Sequence, residues 1–222
     1  IGLGLICNTI SFLIFRFHGE FKASSLMVYL SFVTVTDTLS LFVWNLDNFL
    51  ISNFNIQVET INEPICHLSS FLQYFSLESS ALVLSMATID RYFTVISIPG
   101  SFASQLPFRT NKSALFWSLA ILILISLINL HVLIFPRLKK PTLIGFTCNV
   151  YTTGFKLLPT WEKVHLIIFS LIPFILMTLF NGLLIKDALM TNSLSNRNSK
   201  SNQKKRRVTI SLVLVTAFFI LM

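Results

Sequence analysis

The sequence predicts an all-α membrane protein folded as one helical bundle, and three observations carry that expectation. Hydrophobic residues fill 54% of the chain and charged ones only 12%, whereas the surface of a soluble domain needs about a quarter or more charged side chains. Mean hydropathy is correspondingly high, at +0.75. Apolar runs long enough to cross roughly 30 Å of hydrocarbon recur along the chain, separated by connections too short to fold by themselves.

Taken in order, residues 1–15 form a first span and 208–222 a sixth, both read as incomplete because the sequence begins and ends within apolar runs. Spans at 25–51 and 64–96 carry internal carboxylates. Between Lys112 and Arg137 the only ionisable side chain is His131, and between Lys163 and Lys186 it is His165, so a fourth and a fifth span follow from hydropathy alone. The expected organisation is a single domain, residues 1–222, without internal repeats. Residues 190–203 are rich in Ser, Asn and basic side chains, a composition that favours a disordered loop in which Ser193, Ser195, Ser199 and Ser201 are candidate kinase targets.

Orientation follows from the placement of Lys and Arg. With the amino terminus outside, twelve of the 17 basic residues lie on inner loops and helix ends, and five, Arg137, Lys139, Lys140, Lys156 and Lys163, lie on the outer side, as the positive-inside rule requires. The net charge of +8 calls for no nucleic acid. The run from Lys204 to Arg207 abuts a membrane helix, where each basic residue against anionic lipid contributes about 1 kcal/mol. Of the three cysteines, Cys7 lies within the first span, while Cys66 and Cys148 both fall on the outer side. An oxidising exterior joins that pair; two free thiols are the alternative.

The third span ends in the triplet Asp90-Arg91-Tyr92, and Cys66 precedes the arginine by 25 residues, about seven helical turns. One helix therefore carries a sulfur at its outer end and a charge pair at its inner end. Around this axis stand Asn8 in the first span, Asp37 in the second, Ser80 in the third, Trp117 in the fourth, Cys148 in the following loop, Pro173 in the fifth, and Phe219 ten residues after Thr209 in the sixth. In type, order and spacing these residues resemble the marks of the rhodopsin-like (class A) G-protein-coupled receptors, over essentially the whole chain. The resemblance implies a seven-transmembrane receptor bundle of which six helices are present, lacking the start of helix one, the end of helix six and helix seven. It also implies a multi-pass plasma-membrane protein and a heterotrimeric G protein as partner.

The resemblance assigns roles to these positions. Asp37 with Ser80 and Asn8 is implied to hold a hydrated sodium ion as allosteric modulator; a protonated aspartate linking helices is the alternative. Asp90 and Arg91 are implied to pair at rest, with activation freeing the arginine to line a cavity for the G protein. Tyr92, Pro173, Asn181, Lys205, Thr209 and Phe219 complete the activation switch. Three departures stand out. Lys205 occupies a place where many relatives have an acid facing Arg91, which leaves a weaker bond from Thr209 and predicts a lightly latched resting state. Asn181 stands where tyrosine is common, and Pro99 follows the arginine by one residue more than usual.

The outer half is expected to hold the ligand. Gln73 stands where amine receptors carry an aspartate, which disfavours a biogenic amine, and a glutamine forms hydrogen bonds without fixing a charge. Tyr74, Leu77, Asp47, Asn48, His165 and Phe169 are its expected companions in one polar and aromatic cleft. Glu78 lies deeper on the third helix, with three readings open: protonated, facing the ligand, or paired with His131 or His165. The loop between Pro136 and Trp161 is expected to form a hairpin lid suited to extended peptides. These points favour a neuropeptide receptor, similar to those for FMRFamide-like peptides, with a lipid or other small molecule as the alternative ligand. No metal-ligand cluster, nucleophile motif or glycine-rich phosphate loop supports an enzyme. A transporter is the rival class, since intramembrane carboxylates also mark ion paths.

Overall fold

In the computed structural model, the described residues are 1–19, 24–96, 110–134, 137–139, 147–149 and 163–194. They build seven helices: α1 (Gly2–Phe17), α2 (Ser25–Ser40), α3 (Asp47–Phe54), α4 (Glu63–Ile96), α5 (Asn111–Ile128), α6 (Leu130–Ile134) and α7 (Ile172–Leu194). Two segments, Leu41–Leu46 and Leu166–Leu171, are π-helical. The first joins α2 to α3 in one element, and the second runs straight into α7. The short strands β1 (Arg137–Lys139) and β2 (Thr147–Asn149) pair antiparallel with Leu138 opposite Cys148, which supplies the hairpin expected in the outer loop. The sixth span, with Lys205, Thr209 and Phe219, lies outside the described residues, as does Pro99.

Ser25–Phe54, Asn111–Ile128 and Lys163–Asp187 are long and apolar enough to cross a membrane, and Gly2–Phe17 is a shorter apolar helix. Their outward side chains, such as Leu3, Phe116, Leu127 and Leu166, are 63% to 77% exposed, as suits a surface solvated by acyl chains. The longest helix, α4, has 34 residues and a length of about 51 Å, yet it is not among the strongly apolar ones. It occupies the centre, packing on α2, α5, α6 and α7, and buries Ser76, Glu78, Ser80, Ser85, Thr88 and Asp90 against protein. A helix surrounded by other helices can carry polar groups that one facing lipid cannot.

Local chemistry sets the helix ends. Asn62 Oδ1 accepts from the Ile65 amide at 2.9 Å, capping α4, and Thr110 Oγ1 accepts from Ser113 N at 3.2 Å at the start of α5. Helix α3 ends at Asn55, whose φ of 54° is the left-handed geometry in which Asn is the usual substitute for Gly. The fourth span is not continuous, because it breaks at Asn129, whose Nδ2 donates back to Ile125 O at 3.1 Å and competes with the helical ladder. Helix α7 runs on to Leu194, past the point where the Ser- and Asn-rich composition predicts disorder. The apolar core lies toward the Arg91 end of α4, where Leu26, Tyr29 and Val33 of α2 meet Val83, Leu84 and Ala87 of α4, Ala114 of α5 and Met177 of α7.

Candidate functional site

Three groups of side chains lie along α4. At its inner end Asp90 and Arg91 are buried, at 1% and 9% exposure. Ser25, in the first turn of α2, donates to Asp90 Oδ2 at 2.8 Å. The fully buried Tyr29 lies one helical turn further along α2 and within electrostatic reach of Asp90. The ring of Tyr92 meets Phe180 of α7 at a centroid distance of 5.3 Å, and Phe93 meets the same ring at 6.2 Å. Beside Phe180, Asn181 is buried, and among the described residues neither its amide nitrogen nor its amide oxygen has a hydrogen-bond partner.

Midway along α4, Ser80 donates to Asp37 Oδ1 at 2.5 Å. This bond joins two of the three residues expected at the ion site. Asn8 is partly buried, and no hydrogen bond links its side chain to either of them among the described residues. A carboxylate and a hydroxyl are hard oxygen donors, a set that suits an alkali cation completed by water.

The outer group is the most connected. Nδ1 of His165 lies against Oε1 of Glu78, and Asn129 Nδ2 donates to Glu78 Oε2 at 2.5 Å. All three residues are buried. The imidazole also packs edgewise on Tyr74 at 5.3 Å and against Phe169 at 5.1 Å. Of the two histidines offered as partners for Glu78, His165 is the one in contact with it, while Nδ1 of His131 lies 2.8 Å from the carbonyl of Ile128. Pro173 accounts for the geometry of this wall. It has no N–H to give the Phe169 carbonyl four residues earlier and crowds it sterically, so the helix widens into the π turn that bears Phe169.

Other expected cleft residues are distributed differently. Asp47 Oδ1 accepts from the Val58 amide at 3.1 Å and so fastens the turn between α3 and α4. Beside it, burial and then the Asp47 charge raise the Glu59 carboxyl above its ordinary value of 4.5. Asn48 is exposed, as is Leu77. Gln73 takes part through its backbone carbonyl, which accepts from Trp44 Nε1 at 3.5 Å and from Ser76 Oγ at 3.2 Å. At the outer end Cys66 and Cys148 form a disulfide, with Cα atoms 5.6 Å apart, that ties the β-hairpin to the top of α4.

Sequence reasoning passed over Ser25, Tyr29, Trp44 and Asn129. Asn129 alone had a signal, as a single amide in an otherwise apolar run, where an unpaired polar group is costly. Ser and Tyr near the inner end of a span carry no such signal.

A helix with a crosslinked hairpin at its outer end and a buried arginine with its acid at the inner end agrees with the family comparison. The family description 7 transmembrane receptor (rhodopsin family) matches residues 8–222, and the chain belongs to that family. Among curated proteins none matches it. Membership supports a signalling function for the chain as a multi-pass membrane receptor, and the family implies a G protein as partner.

Proposed function

We propose that this receptor transduces an extracellular neuropeptide into nucleotide exchange on a heterotrimeric G protein, with its amino terminus outside. The observation that carries the reading is the composition of α4. Its outer half carries Tyr74, which meets His165 and with it Phe169, below a disulfide-held hairpin, and its inner end keeps Asp90 and Arg91 buried beside Ser25. A peptide entering under the hairpin meets an aromatic wall with a glutamine and no fixed acid at Gln73, and the strand edge offers backbone hydrogen bonds. Motion of the fifth span against α4 then reaches the inner end through Phe180 and Tyr92. Sodium held by Asp37 and Ser80 belongs to the same proposal, as a ligand of the resting state.

The test is a screen of the full-length gene product against a peptide library, with calcium and cyclic AMP read together. A nanomolar response to one peptide class that is lost in Arg91→Ala supports the reading. Responses to lipids or small molecules alone would replace the ligand class. Solute uptake without nucleotide exchange would replace the mechanism.

A further inference from the structure

Glu78, His165 and Asn129 sit on three different spans, and each is at most 8% exposed. A carboxylate at this depth costs several kcal/mol unless it is compensated, and here both oxygens are engaged, Oε1 by His165 and Oε2 by Asn129. Each partner has a cost of its own. Asn129 ends α5 early, and His165 stands at the head of a π turn. Two irregularities in neighbouring helices thus converge on one acid.

We propose that Glu78 and Asn129 are positioning residues for His165, and that the proton shared between Glu78 and His165 sets how tightly the fifth span is tied to α4. The inference rests on the receptor reading and names a regulation of its outer cleft. With one proton between them, the acid and the imidazole hold a hydrogen bond, which is charge-assisted when the ring bears the proton. A second proton, added on acidification, leaves a neutral acid beside an imidazolium and removes the attraction between opposite charges. Removal of the shared proton leaves a buried carboxylate with a neutral ring, still bonded through Nδ1–H but without the positive charge. The tie is therefore strongest while one proton is shared.

The other titratable groups nearby are few among the described residues. Tyr74 presents its ring to His165 from α4, α5 contributes the uncharged Asn129, and α6 carries His131, engaged with the Ile128 carbonyl. His165 in turn forms part of the cleft wall between Tyr74 and Phe169. Any ligand that displaces either ring draws on the same bond.

The experiment uses the full-length receptor, purified and reconstituted with G protein, and needs no ligand. Thermal midpoint and ligand-free nucleotide exchange are measured across about pH 5 to 8, the range in which imidazoles ordinarily titrate. In the wild type the midpoint is expected to vary with pH and exchange to change in the opposite sense by at least about fivefold, the lower bound of ordinary coupling between sites. Glu78→Gln and His165→Gln should each flatten both profiles, and the double variant should cost no more than the larger single one. A flat wild-type profile overturns the proposal, as does a variant whose midpoint drops equally at every pH, since that is loss of packing alone. If either variant fails to fold, the wild-type profile and the milder Asn129→Ser, expected to displace the profile along the pH axis, decide the matter. The thermal arm does not involve the G protein, so absence of exchange on any G protein counts against the receptor reading and leaves the clasp to be judged by its pH profile.

Discussion

The hydroxyl of Ser25 reaches Asp90 across 65 positions of sequence, and such a bond to a buried carboxylate is worth about 1.5–3 kcal/mol. Ser25→Ala is therefore expected to loosen the inner end of α4, raising ligand-free nucleotide exchange several-fold and lowering the thermal midpoint, with Ser25→Thr restoring both. Asp37 calls for a separate measurement. Asp37→Asn should abolish any sodium dependence of agonist affinity, and a dependence that survives the change would remove the ion from the account of Asp37 and Ser80. Residues of this kind differ in how far sequence reveals them. Asp37, Asp90 and Arg91 announce themselves because charge inside a span is expensive and needs a reason. Ser25 does not, since a serine can bond its own helix at no cost, as Ser31 and Ser85 do with Met27 and Ala81. Which serine turns outward to a neighbour is decided only by how the helices pack.

Among the elements, the hairpin is held by its disulfide and the α3–α4 turn by Asp47. The disulfide closes a loop with a sequence separation of 82, which corresponds to about 4 kcal/mol in the chain-entropy model. Cys148→Ser is expected to lower the thermal midpoint and weaken ligand binding while leaving ligand-free exchange present. Near the same face, Glu59 carries a carboxyl raised by burial and by Asp47. The folded protein thus keeps a proton that the unfolded chain surrenders at lower pH. Its contribution is full below the ordinary value of 4.5 and is lost as the pH climbs from there through the raised value. Glu59→Gln should remove that part of the slope in a thermal-midpoint profile. Helix boundaries were legible wherever hydropathy alone decided them, as at Lys163. They were not legible at Asn129 or across Leu41–Leu46, where tertiary partners override a pattern that reads as one smooth span. The run to Leu194 was missed for a related reason, because composition undervalues a helix that is already nucleated upstream.

The helical bundle was the most accessible part, because hydropathy and two cysteines each constrain it independently. The cleft was less so. Tyr74, His165 and Phe169 lie together across facing helices, yet Gln73 enters through its backbone carbonyl, Asp47 serves a turn, and the choice of partner for Glu78 follows from how α5 and the π turn pack. Helix α4 also has a property that neither of its ends displays alone. From Ile65 to Ile96 it contains no glycine and no proline, the usual sites of kinks. A shaft without a joint cannot fold to relay a push, so whatever reaches it near the hairpin arrives at the Arg91 end as torsion or as axial slip. The partners that steer such movement are those gripping it from the side at intermediate depth.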